Sequence, residues 1–296
     1  MAGRIRCHAC ATRDATGRSD RRDALFLDPA DPRTGAQTVS VPAQGGWLAV
    51  AGLGPGDQAL VTPEVSDALA AATDVIGYFP YVARIAPREG LVLHPSDNRV
   101  ELDRAKLALD LAAQGRNVVV VSSGDPGVFA MAAAVFEALE AGTPAWQDID
   151  IRVLPGITAM LAASARAGAP LGHDFCAINL SDNLKPWSLI AKRLRLAAEA
   201  DFAMAFYNPR SKSRPQGFAR ALAVLQEACG DDRPVLFARA VSTADEVLRI
   251  VPLDKAQPDM ADMRTMVIVG SSQTRIIERP AGPVLYTPRS APKAVA

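Results

Sequence analysis

Residues 117–121 read Asn-Val-Val-Val-Val, four β-branched side chains in succession with no polar break. A strand with one wet face alternates apolar and polar residues, so an unbroken apolar strand must be covered on both faces. Helices on either side of a mainly parallel sheet meet that demand. The neighbouring sequence agrees: Trp47 to Ala51, Val75 to Tyr78, Leu91 to Leu93 and Ile149 to Leu154 are further short apolar runs, with helical spacing between them. Val65, Ala68, Leu69 and Ala72 share a helix face, with Thr62 as N-cap and Pro63 in the first turn. Glu101 to Gln114 repeats Leu102, Ala105, Leu109 and Ala112 before a stop at Gly115, and Gly127 to Ala141 reads as another helix. The expectation is an α/β fold.

The second half continues in this style. Strands are expected at Phe175 to Leu180, Phe202 to Tyr207, Val235 to Ala240 and Met266 to Val269, with helices at Ser188 to Glu199 and Gln216 to Ala228. A boundary near 155–170 gives two α/β domains, 47–160 and 161–280, and a tail at 281–296. Residues 1–46 lack sustained periodicity and read as a flexible extension. That extension carries Cys7 and Cys10, too few ligands for a zinc site, so no metal is expected. It has no apolar core of a secretory signal, and four cysteines in 296 residues suit reduced thiols in the cytoplasm. No run approaches the roughly 18 apolar residues of a membrane span. A formal net charge of zero gives no footprint for nucleic acid.

Each apolar run of the first half ends in glycine, proline and polar residues: Gly52 to Asp57, Tyr78 to Tyr81, His94 to Asn98, Ser122 to Gly127, and Pro155 to Thr158. In open parallel sheets ligands bind beyond the carboxyl ends of the strands, which is where these connections fall. Gly52-x-Gly54-x-Gly56 invites a dinucleotide reading, but Asp57 stands where the third glycine of the fingerprint belongs. The second run ends in Gly77-Tyr78 without a ribose-binding acid, and Asp74 precedes it. A tight turn alone also explains the glycines, and Asp125 could simply cap a helix starting at Pro126.

Taken in order, Val50-Ala51-Gly52-Leu53-Gly54-Pro55-Gly56-Asp57, Ser123-Gly124-Asp125-Pro126 and Pro155-Gly156-Ile157-Thr158-Ala159 resemble the tetrapyrrole methylases of cobalamin and siroheme biosynthesis. The resemblance covers about residues 47–275. Ile76 to Tyr81, Ser96 to Ala105, Val121 to Met131 and Phe206 to Ser211 are most similar to the branch that methylates C17 of precorrin-3B during ring contraction to precorrin-4.

The resemblance implies a ligand cleft between the two domains, a homodimer, and S-adenosylmethionine held by Pro55, Ser123, Gly124, Asp125, Val128, Thr158, Ala159, Tyr207, Asn208, Ala240 and Val241. The Arg239 to Ser242 stretch departs from the family pattern around that last pair. A precorrin carries a ring of carboxylates, so Arg84, Arg99, Arg210 and Lys212 become candidate substrate contacts, with Tyr78 and Tyr81 against the macrocycle. Arg88, Arg104 and Arg214 are further cations of the same kind. Ring contraction calls for a base, for which His94, Asp97 and Asp125 are the titratable candidates. A sister methylase acting on precorrin-4 or uroporphyrinogen III, a nicotinamide-dependent oxidoreductase, and a non-catalytic tetrapyrrole-binding protein are the competing readings.

Overall fold

The computed structural model describes residues 45–97 and 100–290, all within one compact unit, Pro42–Ala296. The expected extension and the Cys7/Cys10 pair lie outside the described residues, apart from Gly45 and Gly46.

The chain runs β1 (Trp47–Gly52), α1 (Pro63–Ala71), β2 (Asp74–Tyr78), α2 (Phe79–Val82), β3 (Val92–Ser96), α3 (Glu101–Ala113), β4 (Asn117–Ser122), α4 (Met131–Glu140), β5 (Asp150–Leu154) and α5 (Ala159–Ala167). The five strands form one parallel sheet in the order β3-β2-β4-β1-β5. The valine run behaves as its composition requires. Val118 and Val120 join the core under α3 and α4, while Val119 and Val121 join the core of the opposite face with Val65 of α1. Thr62 caps α1, its hydroxyl accepting from Val65 N–H at 3.4 Å.

The second sheet comprises β7 (Phe175–Asn179), β8 (Ala203–Tyr207), β9 (Pro234–Arg239), β10 (Val247–Pro252) and β11 (Thr265–Val269), with α6 (Trp187–Glu199) and α7 (Gly217–Ala228) between its strands. Its order is β10-β9-β11-β8-β7, and only β7 and β8 pair in parallel. This mixed pairing distinguishes it from the first sheet. Alternation again sorts the side chains: Met204, Phe206, Val235 and Phe237 pack under α6 and α7, whereas Ala205, Leu236 and Ala238 face α5. The short β6 (Gly168–Ala169) pairs with β13 (Val284–Tyr286), itself paired with β12 (Arg275–Ile277). The stretch read as a tail from residue 281 therefore contains a strand, and Leu285 within it is fully buried.

Two expectations change. The first is that α4 begins at Met131 rather than Gly127, because residues 126–130 form turns. The second is that β3 continues through His94 and Pro95 instead of ending at Leu93. As the edge strand, β3 tolerates a proline that lacks a ladder donor.

Candidate active site

The loops after β1 and β4 meet because β1 and β4 are neighbours, while α1 and α4 leave toward opposite faces. That is a topological switch point, where α/β sheets open a crevice. Leu53 N–H donates to the Ser122 carbonyl at 2.8 Å, and Gly54 and Gly124 exchange two backbone hydrogen bonds of 3.2 and 2.9 Å. Both glycines have φ near +65°, a conformation costly for any side chain. Gly156 closes the group from the β5 loop: a Cβ there would stand 2.2 Å from the Gly124 carbonyl oxygen.

Asp125 secures this arrangement. One carboxylate oxygen accepts from Gly127 N–H at 2.8 Å and the other from Gly156 N–H at 3.1 Å. It is thus a clamp between the β4 and β5 loops, not the N-cap of a helix at Pro126. Arg84 is also differently placed from its sequence reading. Its guanidinium donates to the carbonyls of Leu53 at 2.6 Å, Gly56 at 3.1 Å and Gly54 at 3.5 Å, and so holds the glycine loop from behind. Burial lowers its pKa, partly countered by Tyr81. Arg88 donates in the same way to Leu69, Ala70 and Ala72 at the end of α1.

The second sheet presents its own loops, after β7, β8 and β9, to these. Tyr207 at the end of β8 hydrogen-bonds Thr158 through its hydroxyl, which also accepts from Met160 N–H at 3.4 Å. Phe129, from the β4 loop, packs edge-on against the Tyr207 ring with centroids 5.1 Å apart. Gly56 lies so close to the loop after β9 that a Cβ would meet the Ser242 carbonyl oxygen at 2.6 Å. The loops of the two sheets therefore meet in three places.

Backbone strain gathers there. Phe129, Asn208, Ala240 and Ser242 all have φ between 50° and 62°, unusual for residues with side chains and typical of positions constrained for function. Ser242 is 5% exposed, and among the described residues its hydroxyl is the one buried side-chain polar atom without a hydrogen-bond partner. It lines an open cavity of about 670 Å³ with Gly56, Asp57, Arg166, Thr243 and Glu246, within the size range of small-molecule sites. Glu246 accepts from Ser242 N–H at 2.6 Å and lies 3.3 Å from Arg166. Sequence reading missed Ser242 and Phe129 as site residues, since nothing in their composition signals positive φ.

Of the other expected cofactor positions, Pro55 lies in the glycine loop, Ser123 and Val128 in the β4 loop, and Ala159 opens α5 beside Thr158. Asn208 follows β8, while Ala240 and Val241 are buried directly after β9. All fall on the two facing loop sets.

The candidate bases part company. His94 lies inside β3, in register with Ile76, and its Nε2 is 2.8 Å from Asp74 at the amino end of β2. The histidine is thereby turned away from the carboxyl edge where it was expected to act. Asp74 is 1% exposed; burial pushes its pKa up, but hydrogen bonds from Arg116, His94 and Thr73 outweigh this and hold it low. Asp97 is exposed immediately beyond β3, and its carbonyl accepts from Arg104 at 2.8 Å. Arg104 is itself 5% exposed and also donates to Ser96 at 2.9 Å. Tyr78 and Tyr81 meet edge-on with centroids 5.4 Å apart beside α2, and burial raises the Tyr81 pKa. Arg210 and Lys212 lie on the loop after β8. Arg99 lies outside the described residues.

A family model described as Tetrapyrrole (Corrin/Porphyrin) Methylases matches residues 48–257. The chain belongs to the tetrapyrrole methylase family. It is 53% identical over 245 residues to a precorrin-3B C(17)-methyltransferase from Sinorhizobium sp, covering 82% of this chain and 96% of that protein. Against the cobalamin biosynthesis protein CobIJ of Mycobacterium tuberculosis it is 48% identical over 253 residues, which span 84% of this chain and 49% of that longer protein. The crystal structure of the methyltransferase CobJ superposes with a TM-score of 0.80 at 67% identity, covering 82% of this chain and all of that one. The matched segment of this tetrapyrrole methylase contains the glycine loop, the Asp125 clamp, Thr158, Tyr207 and Ser242. No helix among the described residues is long and apolar enough to cross a membrane.

Proposed function

We propose that this methylase transfers a methyl group from S-adenosylmethionine to C17 of precorrin-3B, in the step that contracts the macrocycle toward precorrin-4. The observation that carries the reading is 53% identity over a stretch that covers 96% of a protein of that name, together with a family match over residues 48–257, which include the loops of the candidate site.

The residues present fit the cofactor. Gly124 and Gly54 leave the crevice floor without side chains, and the buried Ser242 hydroxyl awaits a polar partner beside a cavity of suitable size. In this reading Pro55, Ser123, Gly124, Val128, Thr158 and Ala159 hold S-adenosylmethionine from the first sheet. Tyr207, Asn208, Ala240 and Val241 hold it from the second. The cofactor supplies an electrophilic methyl group on a positively charged sulfur.

The chain's own contribution is positioning, which can supply much of the acceleration of a displacement reaction. Arg84 and Asp125 fix the loops, and the Tyr207–Thr158 contact holds the facing walls together. Tyr78 and Tyr81 line the macrocycle side, with Arg210 and Lys212 offering charge to its carboxylates. Asp97 is the carboxylate that retains a place at the carboxyl edge, and it is assigned the role of proton acceptor during contraction. Asp125 contributes through loop geometry, since backbone N–H groups occupy both its oxygens.

A cytoplasmic homodimer completes the proposal, for which sedimentation of the purified chain is the test. Incubating the protein with precorrin-3B and methyl-labelled S-adenosylmethionine should give a tetrapyrrole labelled at C17. Label at another ring carbon would move the assignment to a sister methylase, and no transfer to any tetrapyrrole would overturn it.

A further inference from the structure

Several basic residues of the second sheet's half have carboxylate partners. Arg239 pairs with Asp262, Arg264 with Asp245, Arg233 with Asp201 and Arg166 with Glu246. One patch differs. Among the described residues, Lys185, Arg210, Lys212 and Arg214 form no ion pair, although they crowd onto two neighbouring loops.

Those loops, 180–186 after β7 and 208–216 after β8, are joined at their roots. The Asn179 side-chain oxygen accepts from Ser181 N–H at 2.9 Å and from the Asn208 side-chain amide at 3.2 Å. Each loop then draws one cation back toward that junction. Lys185 donates to the Ser181 carbonyl at 2.9 Å, and Arg214 donates to the Asn208 carbonyl at 3.3 Å. Both residues are half-buried. Burial lowers the Lys185 pKa, and repulsion from Arg193 and Arg214 adds to this, against a smaller attraction from Asp182. Two like charges are thus held near each other with their backbone anchors on one side. Asn208 follows Tyr207, which contacts Thr158 and Phe129, so the patch adjoins the cleft.

We propose that Lys185 and Arg214 together bind a carboxylate of the substrate, forming a tetrapyrrole side-chain site on the second sheet's loops. A carboxylate placed between them relieves their mutual repulsion and gains two charge-assisted hydrogen bonds, with the guanidinium setting its orientation. The proposal rests on the reading that the substrate is a tetrapyrrole. It names Lys185, which sequence alone left unmarked because it lies outside the dense Arg210–Arg214 run.

The test uses the full chain with K185M, R214M and the double variant. Uroporphyrin, a tetrapyrrole polycarboxylate, is titrated by fluorescence, and KM is measured separately for precorrin-3B and S-adenosylmethionine. Each single variant should weaken uroporphyrin binding and raise the precorrin KM by about ten- to a hundred-fold, the effect of losing one charged hydrogen bond. The S-adenosylmethionine KM should move by less than about twofold, a split that general damage to the fold would not give. Should R214M melt early, K185M carries the test alone. Undiminished tetrapyrrole affinity in K185M would overturn the proposal while leaving the assigned reaction intact. Failure of the unmodified chain to bind either tetrapyrrole would instead overturn the reading beneath it.

Discussion

Tyr207, at the end of β8, and Thr158, between β5 and α5, share a hydrogen bond between their hydroxyl groups. Thr158 occupies the N-cap position of α5 without capping it through its own side chain. The Tyr207 hydroxyl takes over part of that task, accepting from Met160 N–H at the second helical position. Helix α5 is therefore started by a side chain from the sheet it covers. Tyr207→Phe should cost about 1–2 kcal/mol of stability, the usual value of a lost cap or buried hydrogen bond. Thr158→Val should cost less, because Met160 keeps its acceptor. A double-mutant cycle by chemical denaturation should give a coupling of about 0.5–1.5 kcal/mol, whereas strict additivity would contradict the direct contact. Burial raises the Tyr207 pKa, with the Thr158 hydrogen bond acting against it. The phenol should accordingly stay protonated beyond the usual range near 10, and activity should show no loss from its ionisation below that pH.

Arg84 yields a different expectation from the one its sequence position suggests. A guanidinium that donates to three carbonyls of the glycine loop should affect the cofactor before it affects the substrate. Arg84→Gln should raise the S-adenosylmethionine KM roughly ten- to a hundred-fold, corresponding to about 1.5–3 kcal/mol for hydrogen bonds from a charged group. The precorrin KM should change little. Arg84→Lys should recover part of the loss, since one ammonium cannot reach three divergent acceptors as a planar fork can. Steady-state kinetics with each substrate varied in turn distinguishes this from direct substrate contact, which would move the precorrin KM instead.

Gly156 tests the packing of the loops. Any Cβ at this position collides with the Gly124 carbonyl, a backbone atom that cannot rotate aside. Gly156→Ala should lower stability by about 1–3 kcal/mol, as overpacking does, and weaken cofactor binding together with it. Thermal melting with and without S-adenosylmethionine reads both effects: the variant should melt lower and gain less from the ligand than the parent does.

The sheets were legible wherever an apolar run needed two covered faces, as at Val118 to Val121, or where a helix carried its own cap, as at Thr62. Those signals are local in the chain. What sequence missed depends on groups brought together from a distance. The apolar run stops at Leu93, which places His94 after the strand, yet edge position lets β3 continue through His94 and Pro95. Arg84 looked like a cation awaiting an anion, and its backbone acceptors became visible only once the glycine loop lay beside it. The strain at Asn208 and Ala240 comes from the meeting of two loop sets and has no compositional marker. The mixed order of the second sheet likewise arises from strand direction, which side-chain pattern does not encode. The ligand edge itself was readable, since glycine, proline and polar residues follow every strand of the first sheet.

His94 and Asp74 provide a test in which catalysis and stability separate. Asp74 is buried at the amino end of β2, and its net pKa shift is downward because three hydrogen bonds to its carboxylate outweigh burial. The folded chain therefore favours the charged carboxylate more than the unfolded chain does. The resulting stability is present above the unfolded carboxylate range near pH 4, and it is lost as pH falls through the lower folded value. Asp74→Asn keeps the shape and removes the charge, and should destabilise the protein by about 1–3 kcal/mol at pH 7. The gap between Asp74→Asn and the parent should narrow as the pH is lowered toward 3. His94→Gln should likewise lower the melting temperature yet leave the pH profile of methyl transfer in place, because the imidazole faces Asp74 and not the carboxyl edge. Should His94→Gln stay fully stable but lose the acidic limb of the rate profile, where a general base becomes protonated, the histidine would be the base after all and Asp97 would not.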